Sequence, residues 1–281
     1  MRPAAANALL PTVQPTQSAH LVGRIVSNGA APTAFNDPYA FTPGYYDLFR
    51  ASEDALPSVS FFAGLTPPDA DALEIGSGTG RLALAVAGRA RTLTCLERSP
   101  TMRAVLISKL AQRPEMRSKV TVLQGTAPGF DLGRAFDYVY LGGVLEHVPP
   151  AERPVLFAAI AAHLRPGGLC AMDMVLRMPA PDLEERVMDE QVLGECRYVL
   201  SAEAERLGPD LSRLRQTYRT YLRGELIATE PTERLHNMHR PGPVLKDLAD
   251  AGLHPAEGDG LAQATPLPDD PGAVVVRKAA P

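Results

Sequence analysis

From residue 70 onward, short apolar runs alternate with stretches of helical periodicity. Residues 72–75 are mostly apolar, run into glycines and predict a strand; residues 79–90 predict a helix. Further strands are expected at 92–96, 119–123, 136–141 and 169–176, with helices over 100–112 and 151–164. Strand-length apolar runs separated by helical stretches signal βαβ units, right-handed crossovers and a parallel sheet. Past residue 177 the rhythm changes. Residues 181–207 are charged and predict mostly helix. Residues 211–240 alternate like strands, with turns suggested by Gly224 and Pro231. A helix is expected over 243–251 and a last strand over 272–277, centred on Val274-Val275-Val276. The expected plan is a flexible tail at 1–35, a cofactor-binding core at 36–176, an inserted cap at 177–240, and a closing helix and strands at 241–281.

The chain has 281 residues, 45% of them hydrophobic, enough for a sizeable core without staples. The three cysteines, Cys95, Cys170 and Cys196, are too few and scattered for a disulfide framework or a zinc site, and suggest a reducing, cytoplasmic setting. A formal net charge of −4 and a pI near 5.9 give no footprint for nucleic acid. The longest apolar run, 155–162, is far short of a membrane span. Residues 1–35 contain no Asp or Glu and no apolar core of a secretory signal.

The strongest chemical signal is Leu73-Glu74-Ile75-Gly76-Ser77-Gly78-Thr79-Gly80-Arg81, at a strand-to-helix turn. Glycines let the backbone turn tightly and approach a ligand, and a helix N-terminus offers unpaired N–H groups. Glu97 ends the next strand, where an acidic side chain is placed to accept hydrogen bonds from a ribose. The dinucleotide fingerprint needs glycine where this chain has Arg81. The Lys-Ser or Lys-Thr pair of a nucleoside-triphosphate loop is absent from the sequence at this point.

Around this loop the sequence resembles the class I S-adenosylmethionine-dependent methyltransferases. Further matching segments are Glu97-Arg98-Ser99-Pro100-Thr101-Met102, Gln124-Gly125-Thr126-Ala127, the run from Phe136 to Val148, and Leu164-Arg165-Pro166-Gly167-Gly168-Leu169. Tyr45-Tyr46-Asp47-Leu48-Phe49 is similar to the N-terminal helix of small-molecule N-methyltransferases, including those acting on amino sugars. The resemblance implies an α/β, Rossmann-like sheet, mostly parallel with a reversed last strand, carrying an inserted α+β cap. It implies S-adenosylmethionine as cofactor and S-adenosylhomocysteine as product. Cofactor contacts then fall to Tyr46, Glu74, Gly76, Ser77, Gly78, Gly80, Arg81, Glu97, Arg98, Met102, Gly125, Thr126, Ala127, Leu141 and Gly142. Thr126 stands where many members carry Asp, which shifts the adenine contact to backbone or Gln124. Tyr46 is read as a lid over the methionine end, or as an aromatic anchor for its helix.

Methyl transfer is an in-line displacement from an already activated donor, so the protein's additions are alignment, exclusion of water and a base. His147, in the loop after strand four, is the candidate base and a substrate contact, with Tyr46 beside the reacting groups. His236 and His239 are candidate substrate contacts from the cap. Glu233 with these two histidines superficially suggests a metal; on a strand the two histidines face opposite sides, so no metal is expected. Asn36-Asp37-Pro38-Tyr39 reads as a turn. Arg213, Arg215, Arg219 and Arg223 share one strand face with Tyr221, a solvated face or a site for an acidic substrate. The expected acceptor is a small molecule or peptide, methylated at an amine. The alternatives are a hydroxyl, a carboxylate, or a macromolecule such as RNA or protein. An Ala-rich insert is also able to pack on a second subunit, giving a homodimer.

Overall fold

The computed structural model describes residues 37–50, 56–174, 183–257 and 272–280. Two helices come first, α1 (Pro43–Phe49) and α2 (Leu56–Gly64). The core then runs β1 (Asp71–Ile75), α3 (Arg81–Ala87), β2 (Thr92–Glu97), α4 (Pro100–Ala111), the single turn α5 (Pro114–Arg117), β3 (Val120–Gln124), β4 (Phe136–Leu141), α6 (Arg153–His163) and β5 (Leu164–Met174). A 3-10 turn, Leu145–His147, sits between β4 and α6. The inserted strands are β6 (Leu183–Leu193), β7 (Cys196–Gly208), β8 (Leu211–Leu222) and β9 (Glu225–Asn237). The chain closes with α7 (Pro241–Asp250), β10 (Leu253–Pro255) and β11 (Gly272–Lys278).

Seven strands form the main sheet in the order β10-β11-β5-β4-β1-β2-β3. β3, β2, β1, β4 and β5 pair in parallel, and β11 lies antiparallel to β5. The reversed strand matches the expectation. All five residues of β1 are buried, as a central parallel strand covered on both faces requires. One face packs Leu73, Val139 and Met172 against Leu156, Phe157 and Leu248; the other packs Ala72, Cys95 and Tyr140 against Phe62, Val86 and Leu106. Chain order reverses between β1 and β4, because β2 and β3 were laid down on one side of β1 and β4 on the other. Ligands of open α/β sheets bind at the carboxyl ends of the strands at such a point. The loops starting at Gly76 and Gly142 both leave the sheet there.

At the opposite end of β1, Asp71 collects Thr92, Arg91 and Arg165. Burial acts to raise its carboxyl, yet the hydrogen bonds from Thr92, Arg165 and Arg91 prevail and hold it down at about 2.

The insert corrects one expectation. Described residues between 183 and 207 are strand, where helix was predicted, so among the described residues the cap is an antiparallel β6-β7-β8-β9 sheet without a helical part. Glu, Arg, Ala and Leu favour helix in isolation, but tertiary pairing overrides propensity. Gly194 takes a positive φ of 59° in the two-residue turn that joins Leu193 to its partner Cys196. Arg223 and Gly224 both take positive φ (50° and 92°) in the turn between β8 and β9, the pattern of a tight hairpin. Opposite charges then meet directly across strands: Arg215 stands between Glu203 and Glu233, and Arg213 opposite Glu205. Residues 177–182 of the predicted span, and 175–176 of the fifth strand, lie outside the described residues, as do the tail and Asn36.

Candidate active site

The Gly-rich loop is shaped by what its neighbours leave room for. A Cβ on Gly76 (φ 73°) would lie 2.4 Å from Val144 Cγ2, and one on Gly80 (φ 89°) 2.3 Å from Leu106 Cδ1. Gly78 (φ 54°) instead faces open space. Its N–H donates to Glu97 Oε2 at 2.7 Å, while Ser99 N–H donates to Glu97 Oε1 at 2.7 Å. Each carboxylate oxygen therefore spends one lone pair on the backbone and keeps another for a ligand. Burial raises the Glu97 carboxyl, and the two N–H groups work the other way. Glu74, deeper in the same wall, is pushed up to about 8 by burial, with nearby Arg81 opposing.

These groups line a cavity of about 480 Å³, within the usual range for a small-molecule site. Tyr46, Glu74, Gly76, Ser77, Gly78, Arg81, Glu97, Arg98, Met102, Gly125, Thr126, Ala127, Gly142 and His147 all border it. Two predicted contacts do not. Leu141 is fully buried in the core, and Gly80 is held against Leu106, where it gives α3 its entry turn. Gln124 turns toward Arg103 (3.4 Å), so the wall beyond β3 is formed by residues 125–127.

The two tyrosines of α1 divide their work. Tyr45 stacks on Tyr218 (centroids 5.1 Å apart) and hydrogen-bonds Thr220 and Glu230, both at 3.2 Å, anchoring the helix to the cap. Tyr46 borders the cavity. Asp47 sets that orientation by accepting from Thr79 and pairing with Lys109 at 2.7 Å, which ties α1 to the Gly-rich loop.

Sequence reasoning passed over Tyr39. Its turn is the expected one: Asp37 accepts from Tyr39 N–H (3.0 Å), Ser99 Oγ (2.6 Å) and Thr101 Oγ1 (3.1 Å). Pinned to the start of α4 in this way, the turn puts Tyr39 on the cavity wall. The Tyr39 hydroxyl lies 3.5 Å from His147 Nε2 and accepts from Arg234 Nη1 at 3.2 Å. Because Tyr39 precedes β1 by more than 30 residues, no local motif announces it. Asp173 was also missed. At the end of β5 it accepts from Gly143 N–H at 2.7 Å, and burial followed by Glu146's charge pushes it up to about 7.

His147 sits on the turn after β4, with its ring edge-on to His236 at 5.1 Å. Burial, then the Arg234 charge, lowers His147 to about 4, so it is neutral at pH 7. Burial and the His147 ring lower His236 to about 3. His236 Nε2 is buried without a hydrogen-bond partner among the described residues. His239 is elsewhere. It bridges Leu145 O (2.8 Å) and Arg153 (3.0 Å), and Arg153 in turn grips Asp247. That makes His239 a clamp between cap and core, away from the cavity lining, against its reading as a substrate contact; His236 too lies outside that lining, behind His147. Glu233 borders the cavity at its rim, but its carboxylate pairs with Arg213 and Arg215 rather than with His236 or His239.

Residues 72–168 match the family described as a methyltransferase domain. No curated protein matches the chain. Among solved structures, the chain is similar to a sugar N-methyltransferase from a Streptoalloteichus species, at 24% identity and a TM-score of 0.65 over 83% of this chain and 92% of that one. It is similar to the S-adenosylmethionine-bound amino pentose methyltransferase of calicheamicin biosynthesis from Micromonospora echinaspora, at 21% identity and a TM-score of 0.63 over 84% and 97%. A glycopeptide N-methyltransferase solved with S-adenosylmethionine is 25% identical, with a TM-score of 0.51 over 80% and 93%. No helix among the described residues is long and apolar enough to cross a membrane.

Proposed function

We propose that this chain, an S-adenosylmethionine-dependent methyltransferase, methylates an amine of a small molecule or peptide. The observation that carries the reading is His147, an uncharged imidazole on the cavity wall beside the cofactor cradle. An amine that arrives as an ammonium must lose a proton to react, as must a hydroxyl, whereas a carboxylate needs no base; His147 therefore favours an amine or hydroxyl, and the choice of nitrogen rests on the structural neighbours. The N-methyltransferases among the structural neighbours support the same reading.

The residues present fit the cofactor. Glu97, with one lone pair free on each oxygen, accepts from a vicinal diol, and the Gly78 backbone leaves space for a ligand close to the loop. Glu74, neutral or charged as its surroundings decide, suits an ammonium at the inner end. Residues 125–127 hold a planar base against backbone. When bound, S-adenosylmethionine supplies a sulfonium methyl, and its transfer leaves S-adenosylhomocysteine. Tyr46 covers this end and excludes water. His147 takes the acceptor's proton at Nε2, exchanging its contact with the Tyr39 hydroxyl for the acceptor, while its hydrogen bond to the Leu235 backbone fixes the ring.

The test is methyl transfer from isotope-labelled S-adenosylmethionine into an extract of the source cells, separated by molecular size and then treated with base. Base-stable label in the small fraction, in a product that is a cation at acidic pH, is expected; base-stable label in a product without a basic nitrogen would replace the amine with a hydroxyl. Base-labile label would replace the amine with a carboxylate, and label confined to the large fraction would move the acceptor to RNA or protein.

A further inference from the structure

Arg234 is placed where β9 faces the cavity, next to Thr232, whose hydroxyl donates to Pro38 O at 2.7 Å. Its guanidinium lies 5.2 Å from the centre of the Tyr39 ring. One nitrogen donates to the Tyr39 hydroxyl and another to Gln216 Oε1, while Nε is buried without a partner among the described residues. Both hydrogen-bond partners are neutral. A guanidinium withdrawn from water and given only neutral partners is expensive, because desolvation is not offset by a counter-charge. The histidines beside it do not share the charge, since both are held neutral. Glu146, a carboxyl that feels its charge, is itself raised by burial, and the neighbouring Glu233 is paired with Arg213 and Arg215.

We propose that Arg234 binds the carboxylate of a compact zwitterionic acceptor whose amine lies against His147. This rests on the methyl-transfer reading above and adds the acceptor's class. The spacing carries it. A single hydroxyl, that of Tyr39, lies between the Arg234 guanidinium (3.2 Å) and His147 Nε2 (3.5 Å). The anion and the nucleophilic nitrogen are therefore only a few bonds apart, as in an α- or β-amino carboxylate. An anion at the remote end of a large acceptor would not need a cation here. The planar guanidinium fork suits a carboxylate. The bound anion also offsets the field that Arg234 imposes on His147, the second cause of its lowering after burial.

The experiment offers the full-length protein labelled S-adenosylmethionine with a panel of free α- and β-amino carboxylates, their amides, the matching decarboxylated amines and the matching aminophosphonates. Label is expected in carboxylates only. Arg234→Gln should raise KM for the accepted acid at least tenfold with a smaller change in kcat, and Arg234→Lys should recover part of the loss. S-adenosylhomocysteine affinity should stay within twofold in both variants, which also shows that they fold. Arg223→Gln, on the outer face of the cap, should behave as wild type. Equal transfer to amides or amines, a preference for phosphonates, or an unchanged KM in Arg234→Gln would overturn the proposal. So would failure to label any acid by protein that binds S-adenosylhomocysteine. Failure to bind S-adenosylhomocysteine would instead overturn the methyl-transfer reading itself.

Discussion

The two faces of the cap sheet carry the same residue type to opposite ends. On the outer face, Arg213 and Arg215 share Glu203, Glu205 and Glu233, Arg219 pairs with Glu185, and Arg223 with Glu195. These pairs stand in water, where each contributes little and mainly records the register of the strands. One residue along β9 from Glu233, Arg234 faces inward and, among the described residues, hydrogen-bonds Tyr39 and Gln216. Alternation along a strand thus separates charges that are cancelled from a charge left for a ligand. The ion pairs of the outer arginines favour the solvated reading of that face over a site for an acidic substrate.

The comparison predicts a graded set of effects. His147→Ala, at the inner site, should lower kcat about a hundredfold, the usual range for losing a general base, while cofactor affinity holds. A wild-type turnover number would remove His147 from the chemistry. His239→Ala breaks two buried hydrogen bonds of the clamp beneath the same face and should cost roughly 2 kcal/mol in denaturant unfolding. A change only in KM, with stability intact, would return His239 to the substrate site.

Asp71→Asn, at the far end of the sheet, should cost about 1 kcal/mol at pH 7, discounted because Arg91 and Arg165 are largely exposed. The folded carboxyl is depressed from 3.8 to about 2, so its contribution is complete above 3.8 and fades as the pH falls toward 2. The difference in Tm between wild type and Asp71→Asn should shrink across that window; a constant difference would contradict the assignment. Smallest of all, a double-mutant cycle on Arg215 and Glu203 should give a coupling of less than about 1 kcal/mol and an unchanged kcat. A large coupling would mean that the outer face is not a solvated one.

The main sheet was legible because its central strands are buried on both faces and read as mainly apolar runs, with Gly76 and Gly78 marking where the backbone must turn or leave room. The cap was half legible. Residues 211–240 alternate visibly, whereas 183–207 carry helix-forming residues whose strand identity depends on hairpin turns and partners across the sheet. The inward direction of Arg234 follows from register, and a slip of one residue would exchange it with Glu233. Tyr39 reaches the site through Asp37's bonds to α4, a long-range contact with no local pattern. Leu141 was read as a contact because it adjoins Gly142, but the last residue of β4 points into the core.

The most direct test is calorimetric titration of the wild-type protein and of Glu97→Ala with S-adenosylhomocysteine. The account predicts one site per chain in the wild type. It predicts a weakening of tenfold or more in the variant, since hydrogen bonds to a charged group are worth about 1.5–3 kcal/mol. Equal affinity in the two proteins would contradict the placement of the cofactor, and no binding by the wild type would contradict the account as a whole.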